Sequence, residues 1–266
     1  MDSGATMDRN LAETLGQELF LAAKTRQVGE PLTARYPDMT AEDAYFIQQH
    51  MIGHYLDEGH RITGRKIGLT SKAMQSMFGV FEPDFGALLD MLAFNSGDEI
   101  PSGSLIQPKV EGEIAFLLKD ELVGRKITAR DVLDATAHVT AAIEVVDSRY
   151  RDWKISLPDT VADNASFGAY ILGNEAIAPS NIDLRLVGMV LERNGEIVGT
   201  GAGAAAMGHP ANCVAWLANK MNTLGTPLKA GDIVLSGALT AAVEARPGDH
   251  FRVQFDRLGE VSLSFV

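Results

Sequence analysis

The chain has 266 residues, 46% hydrophobic and 22% charged, which is enough for a substantial buried core and ordinary for a globular protein. A formal net charge of −12 without a basic stripe argues against a nucleic-acid or anionic-membrane partner, so any anion site needs a local cation. The one cysteine, Cys213, leaves no disulfide framework and no cysteine-based zinc site.

Met1 to Asp8 lacks the basic and apolar regions of a signal peptide, and no apolar run is long enough to span a bilayer, so a cytoplasmic protein is expected. Leu11, Leu15 and Leu19 predict an amphipathic helix from about Asp8 to Gln27. After a connection from Pro31 to Pro37, Thr40 and Asp43 resemble a capping box. They open a helix that presents Ala44, Ile47, Met51 and Tyr55 and ends near Gly59. His50 and His54 are four apart on it, but Met51 stands where a metalloprotease motif needs glutamate, and packing or surface histidines are expected.

Arg61 to Leu69 reads as a strand on which Lys66 shares a face with Gly64 and Gly68. Those glycines leave the space that a ligand beside the amine requires, although a salt-bridging surface lysine fits the pattern too. Thr70 or Ser71 caps a short helix, and Asp84 follows in a loop punctuated by Pro83 and Gly86, where a lone acid is usually a turn residue.

After a turn at Asn95 to Asp98 comes the run Val110 to Leu118, which reads as a strand apolar on both faces. Glu111 and Glu113 project from one face, continued by Ala115 and Leu117, with Val110, Ile114 and Phe116 on the other. Thr128 and Asp131 open a helix to about Ala137, and the apolar run Ala141 to Val146 carries a third acid, Glu144. Buried carboxylates cost several kcal/mol each unless a positive group sits among them. An all-oxygen set at this density favours a hard divalent ion such as Mg²⁺ or Mn²⁺ over a side-chain cation.

Asp159 to Ser166 is dense in hydrogen-bonding side chains and suits a site loop or a turn. Asn194-Gly195 predicts a two-residue hairpin. Gly199 to Ala204 fits the dinucleotide pattern Gly-x-Gly-x-x-Ala only superficially. It follows a hairpin strand, the next helix starts at His209-Pro210, and about 20 residues on stands Lys220 instead of an acid. Val214, Leu217 and Met221 form that helix's core face, and turns at Gly231 and Gly248 feed β-rich runs. Helices first and strands later predict an α+β fold with a mixed or antiparallel β core: an N-terminal helical segment over 1–60 and a β-rich catalytic core over 61–266.

Several blocks, in order, resemble the hydratase/decarboxylase branch of the fumarylacetoacetate hydrolase superfamily. They are Gly64 to Thr70, Glu82 to Gly86, Glu111-Gly112-Glu113, Ile143 to Arg149, Asp163 to Ser166 and Gly208-His209-Pro210. The resemblance implies Mg²⁺ or Mn²⁺ held by Glu111, Glu113 and Glu144, with Lys66 and Asp84 catalytic. It also implies that Lys66, Asp163, Asn164 and Ser166 bind the substrate, and that the chain is a homo-oligomer. The implied activity is hydration of a 2-hydroxy-2,4-dienoate to a 4-hydroxy-2-oxo acid in the meta-cleavage catabolism of aromatic compounds. Decarboxylation of 4-oxalocrotonate is the alternative, and a non-catalytic partner subunit a more distant one.

Overall fold

The computed structural model describes residues 7–266. Residues 1–6 of the stretch inspected for a targeting signal therefore lie outside it. Helix α1 (Arg9–Thr25) is capped by the Asp8 carboxylate, and α2 (Leu32–Arg35) is a single turn inside the Pro31 to Pro37 connection. Helix α3 (Ala41–Asp57) opens on the expected Thr40/Asp43 capping box. The two long helices pack closely at Gly16, where a Cβ would lie 2.6 Å from the His50 Cβ. His54 stacks on Phe20, so both histidines serve packing.

The remaining elements run in chain order. First come β1 (Ile62–Gly68), α4 (Lys72–Phe78), β2 (Asp84–Leu89), β3 (Ala93–Asn95), β4 (Glu99–Ile100), β5 (Lys109–Leu118) and α5 (Ala129–Ala135). They are followed by β6 (Thr136–Val146), α6 (Leu157–Ala162), β7 (Phe167–Leu172), β8 (Gly188–Arg193), β9 (Glu196–Ala202) and α7 (Pro210–Thr223). The chain ends with β10 (Ile233–Leu235), β11 (Val243–Glu244), β12 (His250–Phe255) and β13 (Gly259–Phe265).

Among the described residues, one mixed sheet has eight strands in the order β2-β1-β10-β5-β6-β7-β3, with β11 also pairing β5. A second has the order β4-β13-β12-β8-β9. The fold is α+β, as expected from helices preceding strands. The main core lies between the sheets, where Val110, Ile114, Phe116, Ile143 and Val145 meet Met189, Leu191, Val253 and Leu263, with Val214 and Leu217 of α7 joining them. A second cluster packs α1 and α3 onto Ala87, Leu89 and Val161. The other face of β5 and β6 belongs to a smaller cluster that includes Ala115, Ala142, Tyr170 and Leu235.

Candidate active site

Strands β5 and β6 pair antiparallel with Glu111 directly opposite Glu144, and strand alternation places Glu113 on the same face. Each of the three offers a carboxylate oxygen, and these atoms lie within 4.8 Å of one another. Glu113 and Glu144 are fully buried; Glu111 is half-buried at the more open end. Gly112, between the two strand acids, turns the other way, where a Cβ would lie 2.4 Å from the Met189 sulfur.

The large sheet rolls so that distant strands meet. Lys66 of β1 places its Nζ 2.9 Å from Glu144 Oε1, although β10 and β5 lie between their strands. Asp84 stands opposite Gly68 in the β1–β2 pair, and its Oδ1 would lie 2.2 Å from a Cβ at that position. Gly64 is pressed against the Ile233 carbonyl, 1.8 Å from where its Cβ would be. The glycines flanking Lys66 thus make room for a strand and a carboxyl group instead of a ligand, while the lysine itself is buried and paired with an acid, away from the surface.

Burial raises the Glu111 carboxyl to about 7, aided by the charge of Glu144 and opposed by Lys66. Burial, with Glu144 and Glu111 beside it, holds Glu113 well above the usual carboxylate range. Burial alone would lower Lys66, but the carboxylates of Glu144, Asp84 and Glu111 outweigh it and keep the amine charged. Asp84 is raised by burial and by Glu144 against the pull of Lys66. Four carboxyl groups therefore share one ammonium, and burial together with their mutual repulsion raises three of them, Asp84, Glu111 and Glu113.

Gly237 N–H donates to Glu113 Oε2 at 2.7 Å. Glu113 Oε1, Glu144 Oε2 and Asp84 Oδ1 are buried without a hydrogen-bond partner among the described residues. The orphaned oxygens of Glu113 and Glu144 belong to the cluster with Glu111, and this set, with no softer ligand among them, fits a hard divalent cation.

The turn before β7 carries Asp163, Asn164 and Ser166, the other residues expected at the substrate. Asp163 is fully buried and takes the guanidinium of Arg149 in an ion pair. Asn164 bonds both backbone groups of Ala87, and Ser166 Oγ lies 3.3 Å from Thr160 Oγ1. Nothing in sequence spacing links Arg149 to Asp163 or Gly237 to Glu113, since both contacts depend on which strands are neighbours in the sheet. One cue did exist for the adjoining α6: Ser156 followed by Asp159 makes a capping box.

Fold and site define an α+β protein whose rolled sheet carries three convergent carboxylates that could hold a cation. The family model described as "Fumarylacetoacetate (FAA) hydrolase C-terminal" matches residues 92–266, and the chain belongs to the fumarylacetoacetate hydrolase family. It is 52% identical over 220 residues, covering 82% of this chain and 99% of the relative, to a 2-hydroxypent-2,4-dienoate hydratase of Pseudomonas putida. It is 45% identical to a 2-hydroxyhexa-2,4-dienoate hydratase of Comamonas testosteroni, covering 97% of this chain and 99% of that one. Among solved structures, a 4-oxalocrotonate decarboxylase from Pseudomonas putida G7, complexed with magnesium and adipate, superposes with a TM-score of 0.96 at 37% identity. That match covers 98% of this chain and 99% of the solved one.

Proposed function

We propose that this chain is a divalent-metal-dependent hydratase that converts a 2-hydroxy-2,4-dienoate to a 4-hydroxy-2-oxo acid in the breakdown of aromatic compounds. The observation that carries the reading is the convergence of Glu111, Glu113 and Glu144 beside Lys66 and Asp84, in a chain whose similar relatives are named hydratases. Held by the three glutamates, Mg²⁺ or Mn²⁺ supplies Lewis-acid polarisation of a 2-oxo acid.

The reaction moves the 2-hydroxyl proton to C5, then adds water with oxygen at C4 and hydrogen at C3. The Lys66 ammonium, kept charged by its acidic neighbours, stabilises negative charge that develops on the substrate's 2-oxygen. Burial raises the Asp84 carboxyl above its ordinary range against the pull of Lys66, and its Oδ1 is unengaged. It transfers the proton, directly or through one water. Ser166, buried in the turn before β7, is the member of that turn offered to the substrate, while Asp163 and Asn164 shape the wall. Asp84→Asn is expected to lower kcat on the order of 10²-fold or more with Mg²⁺ affinity kept. A normal rate would remove Asp84 from this role.

Decarboxylation of 4-oxalocrotonate is the second reading, favoured by the structural likeness. Its extra carboxylate needs a cation, and the two arginines that follow β6 are engaged: Arg149 with Asp163, and exposed Arg151 with Glu30. This engagement supports the hydratase. Metal-loaded protein mixed with freshly generated 2-hydroxypenta-2,4-dienoate should give 4-hydroxy-2-oxopentanoate by NMR. CO₂ release from oxalocrotonate without hydration would reverse the order. Inertness toward both, with Mg²⁺ binding intact, would point to a non-catalytic partner subunit. A homo-oligomer in the cytoplasm belongs to the same reading and is tested by light scattering and cell fractionation.

A further inference from the structure

Residues Asn164, Ala165 and Ser166 are three consecutive non-glycine residues in the left-handed region, with φ of 51°, 51° and 54°. L-residues visit that region singly, so a run of three persists only where the surroundings over-determine it. They do so here. The Arg149 guanidinium donates to the Asp163 carboxylate and to the backbone carbonyls of Asp163 and Phe167. Ser166 N–H donates to the Asp163 carbonyl at 2.9 Å, and Asp147 N–H to the Ser166 carbonyl at 2.7 Å.

This braced turn presents Asn164 to β2. Asn164 Oδ1 accepts from Ala87 N–H at 2.7 Å, and its Nδ2 donates to the Ala87 carbonyl at 2.9 Å, so the side-chain amide makes the pair of bonds that an adjacent strand residue would make. Its backbone carbonyl lies against Gly86, 2.4 Å from where a Cβ would stand. Strand β2 ends the sheet order on one side, and the turn leads directly into β7 near the other. Gly86 is the register partner of Lys66, and Asp84 lies on the same strand.

We propose that Asn164 is a positioning residue for the reaction: standing in for a neighbouring strand, it closes the rolled sheet along β2 and sets Asp84 against the three glutamates. Aspartate cannot replace it, because a carboxylate has no donor for the Ala87 carbonyl. The proposal rests on Asp84 taking part in the reaction as described above.

A double-mutant cycle tests it, since coupled residues do not act independently. Asn164→Asp is expected to lower kcat on the order of 10²-fold, as for a displaced catalytic group, with KM and Mg²⁺ affinity within about threefold. In an Asp84→Asn background the same change should cost less than about threefold. Full multiplication of the two losses, an unchanged kcat in folded Asn164→Asp, or a raised KM with kcat intact would each overturn the proposal, the last by making Asn164 a substrate contact. If Asn164→Asp fails to fold, Gly86→Ala presses on the same contact from the strand side and completes the same cycle. Should Asp84→Asn prove fully active, the functional reading falls, and hydrogen exchange then decides the clamp alone. Loss of protection at Ala87 confined to residues 84–89 in Asn164→Ala supports it, and unchanged protection overturns it.

Discussion

At the scale of single residues, the site is a conflict between burial and charge that a cation resolves. Because burial raises the Glu111 carboxyl from 4.5 to about 7 on folding, this group's contribution to the stability of the metal-free fold is full below the lower value and is lost as pH climbs through the upper one. Mg²⁺ cancels that loss, so the Tm gap between Mg²⁺-loaded and chelator-treated protein should widen between about pH 5 and pH 8, by the same linkage. A gap independent of pH would sink this account. Gly68→Ala drives a methyl into the Asp84 carboxyl and should cut kcat, on the order of tenfold or more for a misplaced group, while titration calorimetry shows Mg²⁺ still bound. The acidic face of β5 was legible, because strand parity alone puts Glu111 and Glu113 side by side. That Glu144 stands opposite Glu111 was not: cross-strand register is set by the whole sheet.

The elements show the same division. Capping boxes at Thr40 and Thr128 and the Asn194-Gly195 turn mark local hydrogen bonding, and the structure has α3, α5 and the β8–β9 hairpin there. Helix α5 gives way to β6 at Thr136, earlier than the apolar run at Ala141 suggests, because exposed Ala137, half-buried His138 and the threonines at 136 and 140 make the strand's first half less apolar. The glycines around Gly201 and Gly203 admit the carbonyls of Leu239 and Leu184, each within 2.3 Å of where a Cβ would be, and so serve close backbone packing with no dinucleotide loop. Helix α6 went unread because its six residues are too few to show a period, although its cap is written in Ser156 and Asp159. The Asp159 carboxylate also accepts from Thr33 N–H and Oγ1, which ties α2 to α6. Asp159→Ala should therefore cost roughly 2–4 kcal/mol in urea unfolding, the loss of several bonds to one buried charge. A cost below about 1 kcal/mol would show that these bonds are replaced by water.

At the scale of the molecule, the expected division at residue 60 sets helices α1 to α3 apart from the β-rich remainder, but Gln48 on α3 donates to the carbonyls of Phe85 and Val161. The helical layer thereby backs the strand that carries Asp84. We expect the two parts to unfold together. Ile47, fully buried, is the probe: Ile47→Ala should remove about 2–4 kcal/mol. Both tryptophans, Trp153 and Trp216, lie beyond residue 60, so their fluorescence midpoint should shift with the far-UV signal. Separate transitions would restore the division. The three glutamates proposed to hold the ion sit on the two longest strands of the sheet, paired over almost their whole length. Such a cage is completed by folding and has no loop to rearrange when an ion departs. Stripped enzyme should regain turnover within the mixing time when Mg²⁺ is returned, and a lag of minutes would mean that the empty cage collapses.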